Sequence, residues 1–484
     1  MHHFIQRVGL SMALSTLALA AQGASLQSAA ESLGATRIQS IEFSGGGKWF
    51  QFGQAPAPEL PWPRFDVSRY TASIHYDSAS ARVQLSRLQT LEPDRVRPAP
   101  IEQNLDQYVS GARAWNQAVA PAATTVTPQP AAAEERAAEI WATPQGFLKA
   151  ALANQAQSRP LKDGGVEVSF KLGGKYRYVG LINARDEVEE VRTWIDNPVL
   201  GDTLVETTFS HYEERGGVRF PAHIVRTQGG HRVLDLAVSE VKVNRTAPLL
   251  APEAAASAPA VTVTVNKLAD GVFYLSGGSH HSVAIEQRDH VVLVEAPLDE
   301  ARSQAVIKQV KATIPGKPIK YLINTHAHFD HSGGLRSYVA EGATIVTHQD
   351  NIAYYRAAWA GAHTLNPDRL AKSHKPARFA GFTDKHVLTD GQRRIEVHTL
   401  AGNTHNDAFA LVYLPAEKIL IEGDAYTPLA AGAKPPAQPN PYSVNLLDNV
   451  KKLKLDVARI APLHGQLATL ADLRAAVGQD VAGK

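Results

Sequence analysis

Directly behind the apolar run Ile319-Lys-Tyr-Leu-Ile-Asn324 stands Thr325-His326-Ala-His328-Phe-Asp330-His331-Ser-Gly333-Gly334, with four metal-ligand side chains inside six residues. That segment ties architecture to chemistry, since it needs a strand ahead of it and a helix, starting near Ser332, behind it. Three further donors occupy the same kind of place. His405 follows the strand-like run 394–400, Asp424 follows Lys418-Ile-Leu-Ile-Glu-Gly, and His464 sits in Ala461-Pro-Leu-His464-Gly465. The chain has no cysteine, which removes disulfides, thiolate zinc sites, iron–sulfur clusters and cysteine nucleophiles together. Histidine, at 19 copies, therefore carries any metal chemistry with the carboxylates.

A length of 484 residues suggests two to four domains at ~100–200 residues each. With 49 basic and 47 acidic side chains there is no charge for a broad basic face, and no nucleic-acid partner is expected. A short basic start at Arg7, an apolar run over 8–20 and the small-x-small end Ala18-Leu-Ala20 predict a secretory signal peptide over residues 1–20. That run is too short to cross ~30 Å of hydrocarbon, and no later stretch holds the ~18 uninterrupted apolar residues of a membrane helix. A periplasmic protein without membrane insertion is expected. An oxidising compartment permits disulfides without requiring them, so the absence of cysteine does not oppose export.

The Ala/Pro-rich stretch 247–261 has no periodicity and reads as a semi-rigid linker with nothing to form a core. It separates residues 21–246 from 262–484. In the first part, Val166-Glu-Val-Ser-Phe-Lys-Leu alternates apolar and polar residues, and Gly173-Gly174, Gly216-Gly217 and Gly229-Gly230 punctuate similar runs. Such patterning predicts a mainly antiparallel β domain, interrupted by an Ala/Pro/Thr-rich excursion over 118–133. Its texture is similar to the curved half-barrels of lipoprotein-carrier-type proteins. His223 and His231 read as surface or satisfied core residues, and no chemistry is expected in this part. In the second part, strand-like runs at 261–266, 272–275, 282–286 and 291–294 precede a helix over 299–314, capped by Asp299. Helices near 444–455 and 467–477 close the chain. Strands followed by strand–helix alternation suggest two sheets with helices outside.

In order and spacing, the donor motifs resemble those of the metallo-β-lactamase superfamily: His-x-His-x-Asp-His, a lone histidine after a strand, Gly-Asp at a strand end and a late His-Gly. The resemblance covers the C-terminal half only. It implies an αββα sandwich, so that the whole chain is an α+β multidomain protein. It also implies one metal site at His326, His328 and His405, a second at Asp330, His331 and His464, and Asp424 bridging them. Two Zn2+ suit this ligand set, and iron or manganese would also accept it. Metal-activated hydroxide would attack an ester, lactone, thioester or amide of a small molecule, with Asp330 orienting that nucleophile and Tyr426 donating to a developing oxyanion.

Departures from the pattern are informative. Glu295 stands where the superfamily usually has an aspartate that braces the metal loop. Aspartate at 424, where β-lactamases of this fold commonly have cysteine or a small residue, matches glyoxalase-II-like, lactonase-like and phosphodiesterase branches. The turn Gly277-Gly278-Ser279-His280-His281 stands where members of this fold place a loop over the metals, or is simply solvated; the insertion 357–385 (with Trp359, His363, His374 and Phe379) reads as a cap on the cleft or a surface excursion, and His348 and His398 as strand-surface residues. The alternatives are a β-lactamase proper, a mononuclear-iron sulfur dioxygenase of the same fold, and a non-catalytic periplasmic binding protein. The expected partner is a small-molecule substrate; oligomeric state is not legible.

Overall fold

The computed structural model describes residues 24–119, 125–256, 260–429 and 438–479. The expected signal peptide lies outside them. No helix among the described residues is long and apolar enough to cross a membrane.

The N-terminal part is one antiparallel sheet of thirteen strands. The chain builds one wing outward from Ser40–Phe50 to Val126–Pro128, then returns from the far edge, Gln157–Pro160, to His231–Val243. That last strand pairs with the first, joining the wings (Phe43 opposite Val241). Two helices, Ala133–Trp141 and Pro144–Ala153, link the wings, and the second begins with Thr143 Oγ1 accepting from Gly146 N at 3.2 Å. Ile140, Phe147 and Leu148 from these helices enter a core with Phe43, Tyr70, Phe170 and Phe209, which come from both wings, so the sheet wraps around the helix pair. Closeness here is strict: a Cβ on Gly180 would lie 2.3 Å from the Phe147 ring.

The Ala/Pro-rich stretch departs from expectation. Leu249, Ala251 and Ala255 cover the stacked Tyr108 and Trp115 rings, and Ser110 Oγ donates to Leu249 O at 2.8 Å. Two large rings on an outer strand pair give even short aliphatic side chains apolar area to bury.

The C-terminal part holds two sheets. Seven strands run in order from Thr264–Ala269 to Arg378–Phe382; the first four are antiparallel, and Val291–Val294, Ile319–Ile323, Thr344–His348 and Arg378–Phe382 are parallel neighbours. Six more, from Lys385–Thr389 to Ala468–Thr469, form the second sheet. Val283, Val292, Ile323 and Val346 of one meet Val397, Val412 and Ile421 of the other in a shared core. Helices Glu300–Thr313 and Leu335–Glu341 cover the outside of the first sheet, and Pro441–Lys452 and Leu470–Ala476 that of the second. The result is an αββα sandwich beside a large β domain. Helix Glu300–Thr313 matches its predicted span, with Asp299 accepting from Arg302 N at 2.8 Å.

Candidate metal centre

The strand Ile319–Ile323 lies between two parallel neighbours, its last two residues buried on opposite faces, and delivers its C-terminal loop to the sheet edge. There the seven donors expected from sequence come together in two groups. His326, His328, His405 and Asp424 form one; Asp330, His331 and His464 form the other, joined by His280. Within each, one ligand atom per residue lies within 4.8 Å of the rest. Asp424 faces both. Its Oδ1 is 2.9 Å from His331 Nε2 and from His464 Nε2, while Oδ2 is 2.9 Å from His405 Nε2 and 3.8 Å from His326 Nε2.

The imidazole orientations fit a cation. His326 is fully buried; its Nδ1 donates to Thr325 Oγ1 at 3.0 Å, leaving Nε2 without a hydrogen-bond partner. His328 is turned the other way, Nε2 donating to Ala55 O at 3.0 Å and Nδ1 left over. His331 Nδ1 donates to Glu295 Oε2 at 3.0 Å, and His464 Nδ1 to Ser279 O at 3.0 Å. Their Nε2 atoms then face each other at 3.1 Å. Each ring thus spends one nitrogen on a protein acceptor and turns the other inward, as metal-binding histidines do. Orphaned buried nitrogens are costly unless something binds them. The donor set therefore fits divalent metal.

Glu295 organises this. Fully buried, with φ of +73°, it accepts from Asn324 Nδ2 at 3.0 Å, from the Thr325 hydroxyl and from His331 Nδ1. Through Thr325 it fixes the His326 ring as well. Electrostatics follow from burial and neighbours. Burial and the surrounding imidazoles hold His326 well below the ordinary range, and burial with His405 lowers His328 to about 3. His331 goes up, because Asp424 and Asp330 outweigh its burial. Asp330 and Asp424 are lowered despite burial, chiefly by His331.

Residues 275–464 match the family model of the metallo-beta-lactamase superfamily. The C-terminal half is a metallo-beta-lactamase-superfamily domain. A metallo-beta-lactamase from Pontibacter korlensis is similar at 19% identity and TM-score 0.35, over 45% of this chain and 98% of that one. The metallo-beta-lactamase FIM-1 from Pseudomonas aeruginosa, in its mono-zinc form, is similar at 19% identity and TM-score 0.34, over 45% of this chain and 95% of that one. No curated protein matches the chain. Family and donor sets together make this half a metal-dependent hydrolase domain.

The N-terminal domain, where no chemistry was expected, reaches into the superfamily domain's metal centre. Gln54 Nε2 donates to Asp330 Oδ1 at 2.7 Å, and Ala55 O holds His328. Phe52 packs edge-on against Phe329 at 5.2 Å, and Asp407 N donates to Pro56 O at 2.7 Å. A glutamine and a backbone carbonyl in an aperiodic loop carry no motif, so nothing in the sequence marked them. His280 and His281 also correct expectation: both are buried, not solvated. His280 Nε2 donates to Asp330 Oδ2 at 3.3 Å, and His281 Nε2 to Gly465 O at 2.9 Å. The buried Arg302 side chain pins their turn by donating to Leu275 O and His280 O, each at 3.2 Å.

Tyr426 is not gathered with the donors. It is buried in the apolar cluster of Phe409, Ala425 and Leu446, and burial raises its pKa to about 12. The insertion 357–385 does not present its aromatic residues as a cap: Trp359 stacks on Tyr355 at 5.4 Å in the core, and Ala362 O accepts from Asp202 N at 2.7 Å across the domain seam. His348 is buried and caps the helix Gln349–Ala358, while His398 pairs with Glu396 at 2.9 Å.

Proposed function

We propose that the chain is an exported, dinuclear metal-dependent hydrolase acting on an ester, lactone, thioester or amide of a small molecule. The observation that supports it best is Asp424, which turns one carboxylate oxygen to each donor group. His326, His328 and His405 would hold one ion, and Asp330, His331 and His464, with His280 beside them, the other. Nitrogen and oxygen donors suit zinc, and also manganese or iron. Bound divalent ions supply Lewis acidity and bring the pKa of water toward neutrality.

The chain's own residues do the rest. Asp330, lowered and ionised at neutral pH, accepts hydrogen bonds from Gln54 on one oxygen and His280 on the other. So fixed and ionised, it can orient a water by accepting its hydrogen bond. The Glu295 and Thr325 contacts keep the rings in place, so no reorganisation accompanies the chemistry.

Metal analysis of the purified mature chain, followed by a screen of lactones, thioesters, esters, β-lactams and phosphodiesters, tests this. The expected result is two divalent ions per chain and chelator-sensitive hydrolysis of a carboxylic acid derivative. One iron per chain with persulfide oxidation would overturn it.

A further inference from the structure

The wrapped sheet of the N-terminal domain encloses a cavity of about 600 Å³ that reaches Phe329 and Asp330 of the metal centre. Its wall is largely apolar, with Phe43, Tyr70, Ile74, Val83, Leu85 and Leu105 among the residues that face it. Charged side chains interrupt that wall at Arg87, Glu135, Arg136, Glu139, Arg226 and Asp330, and of its three guanidiniums Arg87 is the one that neither pairs with a carboxylate nor donates to backbone carbonyls. Arg87, 8% exposed, lies over the Trp49 ring at 3.6 Å and gives Nε to Gln103 Oε1 at 2.9 Å. Its Nη1 has no hydrogen-bond partner, and no carboxylate of the described residues lies within ion-pair distance of it. The other guanidiniums of the same wall differ. Arg136 donates to Tyr108 O and Trp115 O, and Arg226 pairs with Glu139.

A buried guanidinium without a counter-anion is costly, and burial alone lowers this one to about 10. Its position matters as much as its charge. Trp49, on which it rests, lies at the end of the strand Ser40–Phe50, and the loop leaving that strand carries Gln54 to Asp330, so the cation lines the part of the wall from which this loop departs.

Resting on the hydrolase reading above, we propose that this cavity seats the substrate: an ester, thioester or amide with an apolar body and an oxyanionic group. The oxyanion pairs with Arg87, and the body lies inside the curved sheet. The two domains then form one active site, with the scissile carbonyl delivered to the donors around Asp424.

The test is calorimetric titration of the zinc-loaded full chain with decanoate, decyl phosphate and 1-decanol, with zinc content checked throughout. At least one anion should bind tenfold or more tightly than decanol, and Arg87→Gln should remove that advantage while decanol is unaffected. Val83→Trp, which keeps Arg87 but fills the cavity, should weaken all three. Which anion binds identifies the oxyanion. Decanol binding as tightly as both anions, an advantage that survives Arg87→Gln, undiminished binding in Val83→Trp, or no binding at all would overturn the proposal. Turnover separates it from the hydrolase reading. Arg87-dependent binding without turnover of any ester, thioester or amide overturns hydrolysis and leaves the cavity assignment standing; ester turnover that neither variant changes does the reverse.

Discussion

Glu295 shows how much of the centre hangs on one side chain. It sits at a positive φ that a glutamate adopts only when its surroundings insist, and it spends that strain on fixing both His326 and His331. Glu295→Gln keeps the shape but puts an amide N–H against a donor, so metal affinity should fall by about 10–100-fold while the fold persists. Competition with a chelator measures the first and circular dichroism the second. Asp424→Ala removes the carboxylate that faces both donor groups. Metal content and activity should fall together, and retention of two ions would refute its bridging role. Protonation adds a pH signature to the metal-free chain. His328, lowered to about 3, refuses protons that the unfolded chain takes up at its ordinary ~6.5. Its contribution is therefore present above ~6.5 and lost as pH falls toward about 3. His331 has the opposite sign: its raised folded-state value gives stability that is fully present below ~6.5 and is lost as pH climbs through that higher folded-state value. His328→Gln should flatten the acid limb of Tm against pH; an unchanged limb would count against the shift.

At the scale of elements, the loop after Ser40–Phe50 decides how the domains meet. Gly53 has φ of +74°, and a Cβ there would lie 2.4 Å from the Phe329 ring. Gly53→Ala should displace the loop at a local cost of at least ~1–2 kcal/mol, reducing turnover through Gln54 and Ala55 while far-UV dichroism stays constant. Equal turnover would mean that the loop's hold on Asp330 and His328 is idle. This loop also marks the border of what sequence reveals. Helix Glu300–Thr313 was legible because its apolar residues recur at helical spacing behind a capping aspartate, and the seven donors because each ends a strand-like run. His280 was not, since a histidine pair in a glycine turn has no spacing to betray what Arg302 pins it against. Tyr426 looked aimed at the site by proximity to Asp424, yet the chain turns there and its backbone N–H, not its hydroxyl, meets Glu422.

At the scale of the whole molecule, the Ala/Pro-rich stretch suggested two independent modules, and the seam argues otherwise. Gln54 meets Asp330, Ala55 meets His328, Arg95 pairs with Asp407 at 2.7 Å, and Thr364 N donates to Asp202 at 2.9 Å. Polar contacts of this kind fix register rather than supply most of the affinity between domains. A fragment of residues 260–484 should therefore keep its sandwich, whose core is its own, but lose the groups that orient His328 and Asp330. Its metal affinity should drop by about 10–100-fold against the full chain, by analogy with the loss of any group that orients a ligand. Gln54→Ala in the full chain should lower turnover with metal content intact, because it frees one oxygen of Asp330 without touching a ring. Fragment and full chain binding metal equally would return the N-terminal domain to the role of a separate module. A deficit confined to the fragment would place the defect in the His328–Ala55 contact, and one shared with Gln54→Ala in the hold on Asp330.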